Sequence, residues 1–197
     1  MMLALPFLPK HDTREKYLAD ATILLRHRFP SLAVSLPSRV RVSVGFPGGG
    51  SARKRIGEHW HPKASSDGVS QVFISPVLDK SDDALATLLH ELIHACVPDD
   101  GHGKAFKRIA TACGLNGPMR STTPGESCLA VLRDISDRLG AYPHAKLNLS
   151  MGKKKQSTRL IKVECQSCGY VARTTSKWIE EVGAPLCPCN SEPMEAS

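Results

Sequence analysis

The segment His90-Glu91-Leu92-Ile93-His94 constrains the fold of this chain more than any other feature. Leucines recur through it at steps of three and four residues, the spacing of one helix face: Leu85, Leu88, Leu89 and Leu92. We therefore expect an amphipathic helix over residues 83–97, with His90 and His94 one turn apart on the same face. Two imidazoles placed in this way can bind one metal ion, and Glu91 is positioned to accept a proton from water activated there.

A third metal ligand is expected from the segment that follows this helix. Pro98-Asp99-Asp100-Gly101 is a strong turn sequence, so the chain should reverse and carry His102 back towards the two helix histidines. Catalytic zinc typically has three protein ligands and one open position for water. His102 is the predicted third ligand, with Asp99 and Asp100 as alternatives, and another helix is expected from Lys104.

Two closely spaced cysteine pairs form a second metal-binding signal near the C-terminus. Cys165 and Cys168 have two residues between them, and Cys187 and Cys189 have one. Four thiolates in two such pairs suit a closed, tetrahedral structural zinc held between short strands. The single residue between the cysteines of the second pair departs from the usual spacing of two. A disulfide is the alternative, but no other feature of the sequence indicates an oxidising compartment.

Together these motifs resemble a known family. His90-Glu-Leu-Ile-His94 followed by Gly101-His-Gly-Lys-Ala-Phe106 is similar to the SprT-like zinc metalloprotease domain, the family of the Spartan DNA–protein crosslink protease. The resemblance implies an α+β, zincin-like domain, a small sheet packed on helices, followed by a small zinc-ribbon module. It implies that His90, His94 and His102 bind a catalytic zinc and that Glu91 is catalytic. It covers about residues 55–113 and the cysteine pairs, and nothing specific is transferred to the N-terminal region.

The chain has a net charge of +7, and a group of basic residues lies just before and within the segment that contains the cysteine pairs. Such basic clusters can neutralise phosphates in a salt-dependent, sequence-independent manner, although many are solvated linkers. An aromatic ring beside them can stack on unpaired bases. The predicted nucleic-acid contacts are Lys153, Lys154, Lys155, Arg159, Lys162, Arg173, Lys177 and Trp178.

Length and composition suggest two modules in a 197-residue chain. We predict a metalloprotease domain over residues 1–145, a basic linker over 146–158 and a zinc ribbon over 159–197. Hydrophobic residues make up 41% of the chain, but no apolar run is long enough to span a bilayer. The N-terminus lacks a basic leader, and the seven cysteines are interpreted as thiols or ligands. These features favour a cytoplasmic protein without a membrane partner, and we expect a monomer.

Two further histidines and a glycine triplet are not expected to belong to the metal site. His59 and His61 flank Trp60 on a strand predicted over residues 56–60, and they are expected to face solvent. The glycine triplet 48–50 lacks the residues that follow in a phosphate-binding loop, so it is interpreted as a turn.

The sequence thus predicts a zinc-dependent endopeptidase with one catalytic and one structural zinc. The resemblance and the basic residues together imply DNA-associated or DNA-crosslinked proteins as substrates and single-stranded or flexible DNA as the nucleic-acid partner. Two alternatives remain open. One is a non-enzymatic zinc-containing module that binds nucleic acid or acts as an adaptor. The other is a zinc hydrolase acting on RNA, against which the position of Glu91 directly after the first histidine argues.

Overall fold

The computed structural model describes residues 11–27, 29, 34–48, 55–149, 151 and 159–196. These residues form five α-helices and three small sheets, which confirms the predicted α+β class. The chain divides into two units, residues 1–149 and residues 150–197. The boundary between the units lies inside the segment that the sequence analysis assigned to a linker. No helix in the described part of the chain is long and apolar enough to cross a membrane.

The first unit contains a three-stranded sheet with the strand order β1-β3-β2. Its strands are β1 (Val40–Val44), β2 (Gly57–Trp60) and β3 (Ser70–Ile74). Strand β3 runs parallel to β1 and antiparallel to β2. Burial alternates along β3, because Ser70, Val72 and Ile74 face the core while the residues between them face outward. Because β3 lies between β1 and β2, β2 forms one edge of this sheet among the described strands.

Four helices complete the first unit: α1 (Arg14–Arg26), α2 (Ser81–Cys96), α3 (Lys104–Ala112) and α4 (Glu126–Leu139). The side chain of Thr13 caps α1 by accepting a hydrogen bond from the backbone N–H of Lys16. Gly140 ends α4 with a φ of 85°, a conformation that favours glycine. All four helices contribute to one core, whose largest fully buried side chains include Tyr17, Phe29, Phe106, Leu85, Leu88 and Leu92.

A short antiparallel pair lies between α3 and α4. It consists of β4 (Leu115–Asn116) and β5 (Thr123–Pro124). The loop between these strands contains Thr122, which lies beside α2. This pair was not predicted, because strands of two residues have no periodic sequence pattern.

The second unit is a separate small fold with its own sheet, in the order β7-β6-β8. Its elements are β6 (Leu160–Glu164), β7 (Val171–Thr175), helix α5 (Ser176–Val182) and β8 (Glu195–Ala196). The short strands were predicted, but α5 was not, and it lies between the two cysteine pairs. The buried cluster of this unit consists of Val163, Cys165, Cys187 and Met194.

Candidate metal centres and active site

The three histidines predicted to bind metal converge in the structure. The Nε2 atom of His102 lies 3.3 Å from Nε2 of His90 and 3.2 Å from Nε2 of His94. Around a tetrahedral zinc with Zn–N distances of about 2.0–2.1 Å, two ligand nitrogens are about 3.3–3.4 Å apart. The donor atoms of this group all lie within 4.8 Å of one another, so the group could hold a metal ion.

The buried leucine face of helix α2 determines where the first two histidines lie. Leu85, Leu88 and Leu92 are fully buried, which fixes the rotation of the helix against the core. His90 and His94, one turn apart, therefore share the half-buried face of the same helix. The predicted helix 83–97 is observed over residues 81–96.

A turn held by Asp100 returns His102 to this face. The Oδ2 atom of Asp100 accepts a hydrogen bond of 2.8 Å from the backbone N–H of Phe106, at the start of α3. A Cβ on Gly103 would lie 2.7 Å from Oδ1 of Asp100, so the turn leaves no room for a side chain there. Asp100 is therefore occupied in holding the turn. Asp99, the other alternative ligand, pairs with His61 at the surface, and neither carboxylate belongs to the histidine group.

The protonation of the three imidazoles suits metal binding. Burial, followed by the neighbouring imidazoles, lowers the pKa of His90 to about 4 and that of His94 to about 3. The pKa of His102 is also lowered, first by burial and then by the charge of Arg120. At neutral pH all three rings are therefore uncharged, and a nitrogen lone pair is available on each.

Glu91, which follows His90 directly on α2, is buried. Its side chain is 6% exposed, and burial together with the nearby Glu58 raises its pKa to about 8. Gly57, the first residue of β2, leaves space for this carboxylate, because a Cβ at that position would lie 2.4 Å from Oε1 of Glu91. A carboxyl group with a raised pKa beside converging imidazoles is typical of a group that accepts and returns a proton.

Two residues beside the histidines were missed by the sequence analysis. Thr122 Oγ1 lies 2.9 Å from Nδ1 of His90, where it can accept a hydrogen bond from Nδ1–H and leave the lone pair on Nε2. His59 was predicted to face solvent, and this is wrong: it is half-buried, and its ring lies parallel to that of His94 with the centroids 6.1 Å apart. Burial lowers the pKa of His59 to about 4. Only the pairing of distant segments brings Thr122 and His59 here, so no local pattern could have identified them.

The four cysteines of the second unit also converge. Their sulfur atoms lie 3.9 Å apart for Cys165–Cys189, 3.5 Å for Cys168–Cys187 and 3.4 Å for Cys187–Cys189. Sulfurs around a tetrahedral zinc at about 2.3 Å are separated by about 3.8 Å. The group could hold a metal ion, and the short spacing of the second pair does not prevent convergence. The backbone N–H groups of Cys168 and Ser167 lower the pKa of the Cys165 thiol to about 6, which favours a thiolate.

The predicted nucleic-acid residues are placed unevenly. Lys153, Lys154 and Lys155 lie outside the described residues. On the described part of the second unit, Lys162 and Arg173 face each other across β6 and β7, and Lys162 also pairs with Glu164. The amine of Lys177 lies 5.4 Å from the centre of the exposed Trp178 ring, while Arg159 is exposed just before β6. Arg159, Arg173 and Lys177 are exposed, and Lys162 is half-buried.

Comparison with known proteins adds no assignment to this geometry. No protein-family model matches the chain, and neither the curated proteins nor the solved structures contain a significant match to it.

Proposed function

We propose that this protein is a zinc-dependent endopeptidase of the SprT-like type, with a zincin-like first unit and a zinc ribbon as its second unit. One observation carries the proposal: three imidazole nitrogens converge, and the helix that carries two of them also carries a buried carboxyl group directly after the first. Three nitrogen ligands leave one position of a tetrahedral ion open, as in catalytic zinc sites. Four cysteine sulfurs fill every position, as in structural sites.

In this proposal His90, His94 and His102 hold the catalytic zinc, and the four cysteines hold the structural one. When bound to the histidines, zinc supplies Lewis acidity, which polarises a peptide carbonyl and makes water more acidic. The positive charge of a bound zinc would lower the pKa of Glu91 and ionise it at neutral pH. Its carboxylate would then accept a proton as the water oxygen bonds to the carbonyl carbon. Glu91 then returns that proton to the amine nitrogen as the C–N bond breaks.

Thr122 supports this chemistry by accepting a hydrogen bond from Nδ1–H of His90, so that Nε2 carries the lone pair. We assign substrate binding to β2, which is an edge strand among the described strands. Its first residue, Gly57, leaves space for the carboxylate of Glu91. An extended peptide that pairs with this edge would gain main-chain hydrogen bonds without side-chain selection. The proposed substrates are therefore flexible segments of many proteins.

The preference for DNA-associated substrates is a further part of the proposal. It is supported by the net charge of +7 and by the accessible cations and indole of the second unit. Cations that neutralise phosphates and an exposed aromatic ring together favour single-stranded or flexible DNA. Binding of this kind would concentrate the protease on proteins attached to DNA.

The test is cleavage of a purified DNA-binding protein by the wild-type chain and by Glu91→Gln, with and without single-stranded DNA. Loss of the proton carrier should reduce the cleavage rate by about 10²–10⁴-fold, while zinc content stays equal because Glu91 is not a ligand. Glu126→Gln, which changes an exposed glutamate at the start of α4, is the matched control and should cleave like wild type. Equal activity of Glu91→Gln, or no cleavage by zinc-loaded wild type under any DNA condition, would favour a binding module instead.

A further inference from the structure

The outer face of the β1-β3-β2 sheet carries a cleft that is separate from the histidine site. Residues that alternate with the buried positions of β2 and β3 point into it: Glu58, Trp60, Gln71 and Phe73. The segment after β1 and the short 3-10 helix at residues 62–64 close its sides. The cleft has a volume of about 340 Å³, which is enough for a planar ring system.

Three aromatic rings line this cleft, and two of them are exposed to solvent. Phe46 is 42% exposed and Trp60 is 46% exposed, although both are large apolar side chains. Phe73 lies on the central strand between them. Gly45 borders the Phe73 ring, which a Cβ there would approach to 3.4 Å, so the absence of a side chain helps to leave this ring face open. Exposed aromatic groups that share one concave surface typically mark a binding site.

The polar groups of the cleft are already paired with one another. The carboxylate of Glu58 accepts hydrogen bonds from the backbone N–H of Gly48 at 2.7 Å and from the indole Nε1–H of Trp60 at 3.0 Å. It also pairs with Arg55 at 2.9 Å. The hydrogen bond to Glu58 holds the Trp60 ring in one orientation. The ion pair with Arg55 neutralises the charge of Glu58, so the cleft presents rigid aromatic faces to a ligand. Preorganised rings of this kind lose little entropy when a ligand binds.

Cations outnumber acids around the opening. Arg41 is the register partner of Gln71 on the same face, and Lys63 directly precedes the lining residue Ala64. Arg41 pairs with Asp67 through both terminal nitrogens of its guanidinium, and Arg39 lies 3.8 Å from the same carboxylate. Two guanidinium groups therefore share one negative charge and keep an excess positive charge. Arg55 adds another exposed guanidinium beside the paired Glu58. An anionic ligand is therefore complementary to the rim, and an aromatic one is complementary to the interior.

We infer that this cleft binds an unpaired nucleotide of single-stranded nucleic acid, with the base stacked on Trp60 and Phe73 and phosphates beside Arg41 and Lys63. Stacking requires ring faces rather than free donors, which matches a cleft whose donors are paired. An apolar peptide side chain would fit the interior, but it would gain nothing from the surrounding cations. The site requires no metal, so it stands or falls separately from the proposed protease activity.

The experiment uses the two tryptophans of the chain, Trp60 and Trp178. In the full-length Trp178→Phe variant, fluorescence reports only on the cleft. This variant is titrated with an eight-residue oligothymidylate at two salt concentrations, in the presence of a chelator weak enough to leave the cysteine site loaded. We expect saturable quenching of Trp60 that weakens as salt increases, because phosphate contacts release counterions.

Variants of the cleft then test the assignment. Phe73→Ala and Phe46→Ala should each weaken the quenching transition by about tenfold, as expected for loss of a stacking partner. Arg41→Gln should reduce its salt dependence. Ile23→Ala, on the exposed side of α1, is the control and should bind like the parent.

Three results would overturn the inference. The first is oligonucleotide binding, measured by anisotropy of a labelled strand, without any change in Trp60 fluorescence. The second is equal quenching in the folded Phe46→Ala and Phe73→Ala variants. The third is salt-independent quenching by an apolar peptide that the oligonucleotide cannot displace, which would identify a peptide site.

Discussion

The two candidate metal centres are built in opposite ways. The histidines lie on a helix whose buried leucines pack into a large core, so α2 is fixed by packing alone. In the second unit, two of the four residues in the buried cluster, Cys165 and Cys187, are themselves candidate ligands. The histidine site is supported by a core that does not include its ligands, so one metal ligand position can stay open for chemistry. The cysteine ligands are themselves part of the small core of the second unit, so we expect all four to bind the metal that stabilises this unit.

The largest expected effect follows directly from this contrast. Cys165→Ser removes a buried ligand from a unit that has almost no other core. Structural zinc contributes about 10–16 kcal/mol to the folding of small metal-binding domains, more than such a unit can lose and remain folded. We therefore expect the amide resonances of residues 159–196 to collapse into the unfolded region of a heteronuclear NMR spectrum.

His94→Ala is the matched change at the other centre. It should abolish zinc binding by the histidines and leave the dispersed resonances of both units in place, because the core of α2 remains. Unfolding of the first unit by His94→Ala, or a native spectrum for metal-free Cys165→Ser, would contradict the proposal that packing stabilises the first unit and the metal stabilises the second.

A second prediction concerns the contact between β2 and the helix. In Gly57→Ala the new Cβ would lie 2.4 Å from Oε1 of Glu91 and 2.6 Å from Cγ2 of Thr87, so the carboxylate or the strand has to move. Overpacking of this kind costs about 1–3 kcal/mol in the free energy of unfolding. Displacement of a catalytic group by about 1 Å can lower the rate by about 100-fold. Urea unfolding and peptide cleavage measure the two effects.

Gly45→Ala is the control for this change. It adds the same methyl group just after β1, where a Cβ would meet the Phe73 ring at an ordinary 3.4 Å. Its stability and cleavage rate should remain close to wild type. If Gly57→Ala also leaves the free energy of unfolding and the cleavage rate unchanged, the close approach of β2 to Glu91 has no role in the activity.

The smallest predicted effect is at Thr122. Thr122→Val keeps the shape of the side chain but removes the acceptor for Nδ1 of His90. Loss of such a supporting hydrogen bond weakens metal affinity by about 10-fold or more, without affecting the fold. Competition with a chromophoric chelator measures the zinc affinity of the histidine site, and Thr122→Ser should restore it. Equal affinities for wild type and Thr122→Val would remove Thr122 from the site.

The local parts of both centres could be predicted from the sequence. The leucine period around His90 and His94 determines which helix face they share, and the turn residues before His102 indicate the reversal of the chain. The cysteine pairs are equally local. In each case the ligands are separated by a few residues whose conformations are limited, so spacing alone predicts the geometry.

The surroundings of the centres could not be predicted in this way. The approach of Gly57 to Glu91 depends on the order of strands in the sheet, which places β2 beside α2. The same pairing turns His59 towards His94 and leaves Trp60 on the opposite face. Strand order is determined by packing between distant segments, and a single sequence contains no pattern that reports it. The prediction that His59 faces solvent failed for this reason.

The central claim is that the first unit holds an open histidine site and the second unit a closed cysteine site. Crystallography of the zinc-loaded protein with anomalous diffraction at the zinc edge tests it most directly. We expect two zinc peaks in each chain. One should be bound by His90, His94, His102 and an oxygen that is not from the protein, within reach of Glu91. The other should be bound by the four cysteine sulfurs. A fourth protein ligand at the histidine site, or no zinc between the three histidines, would contradict the account.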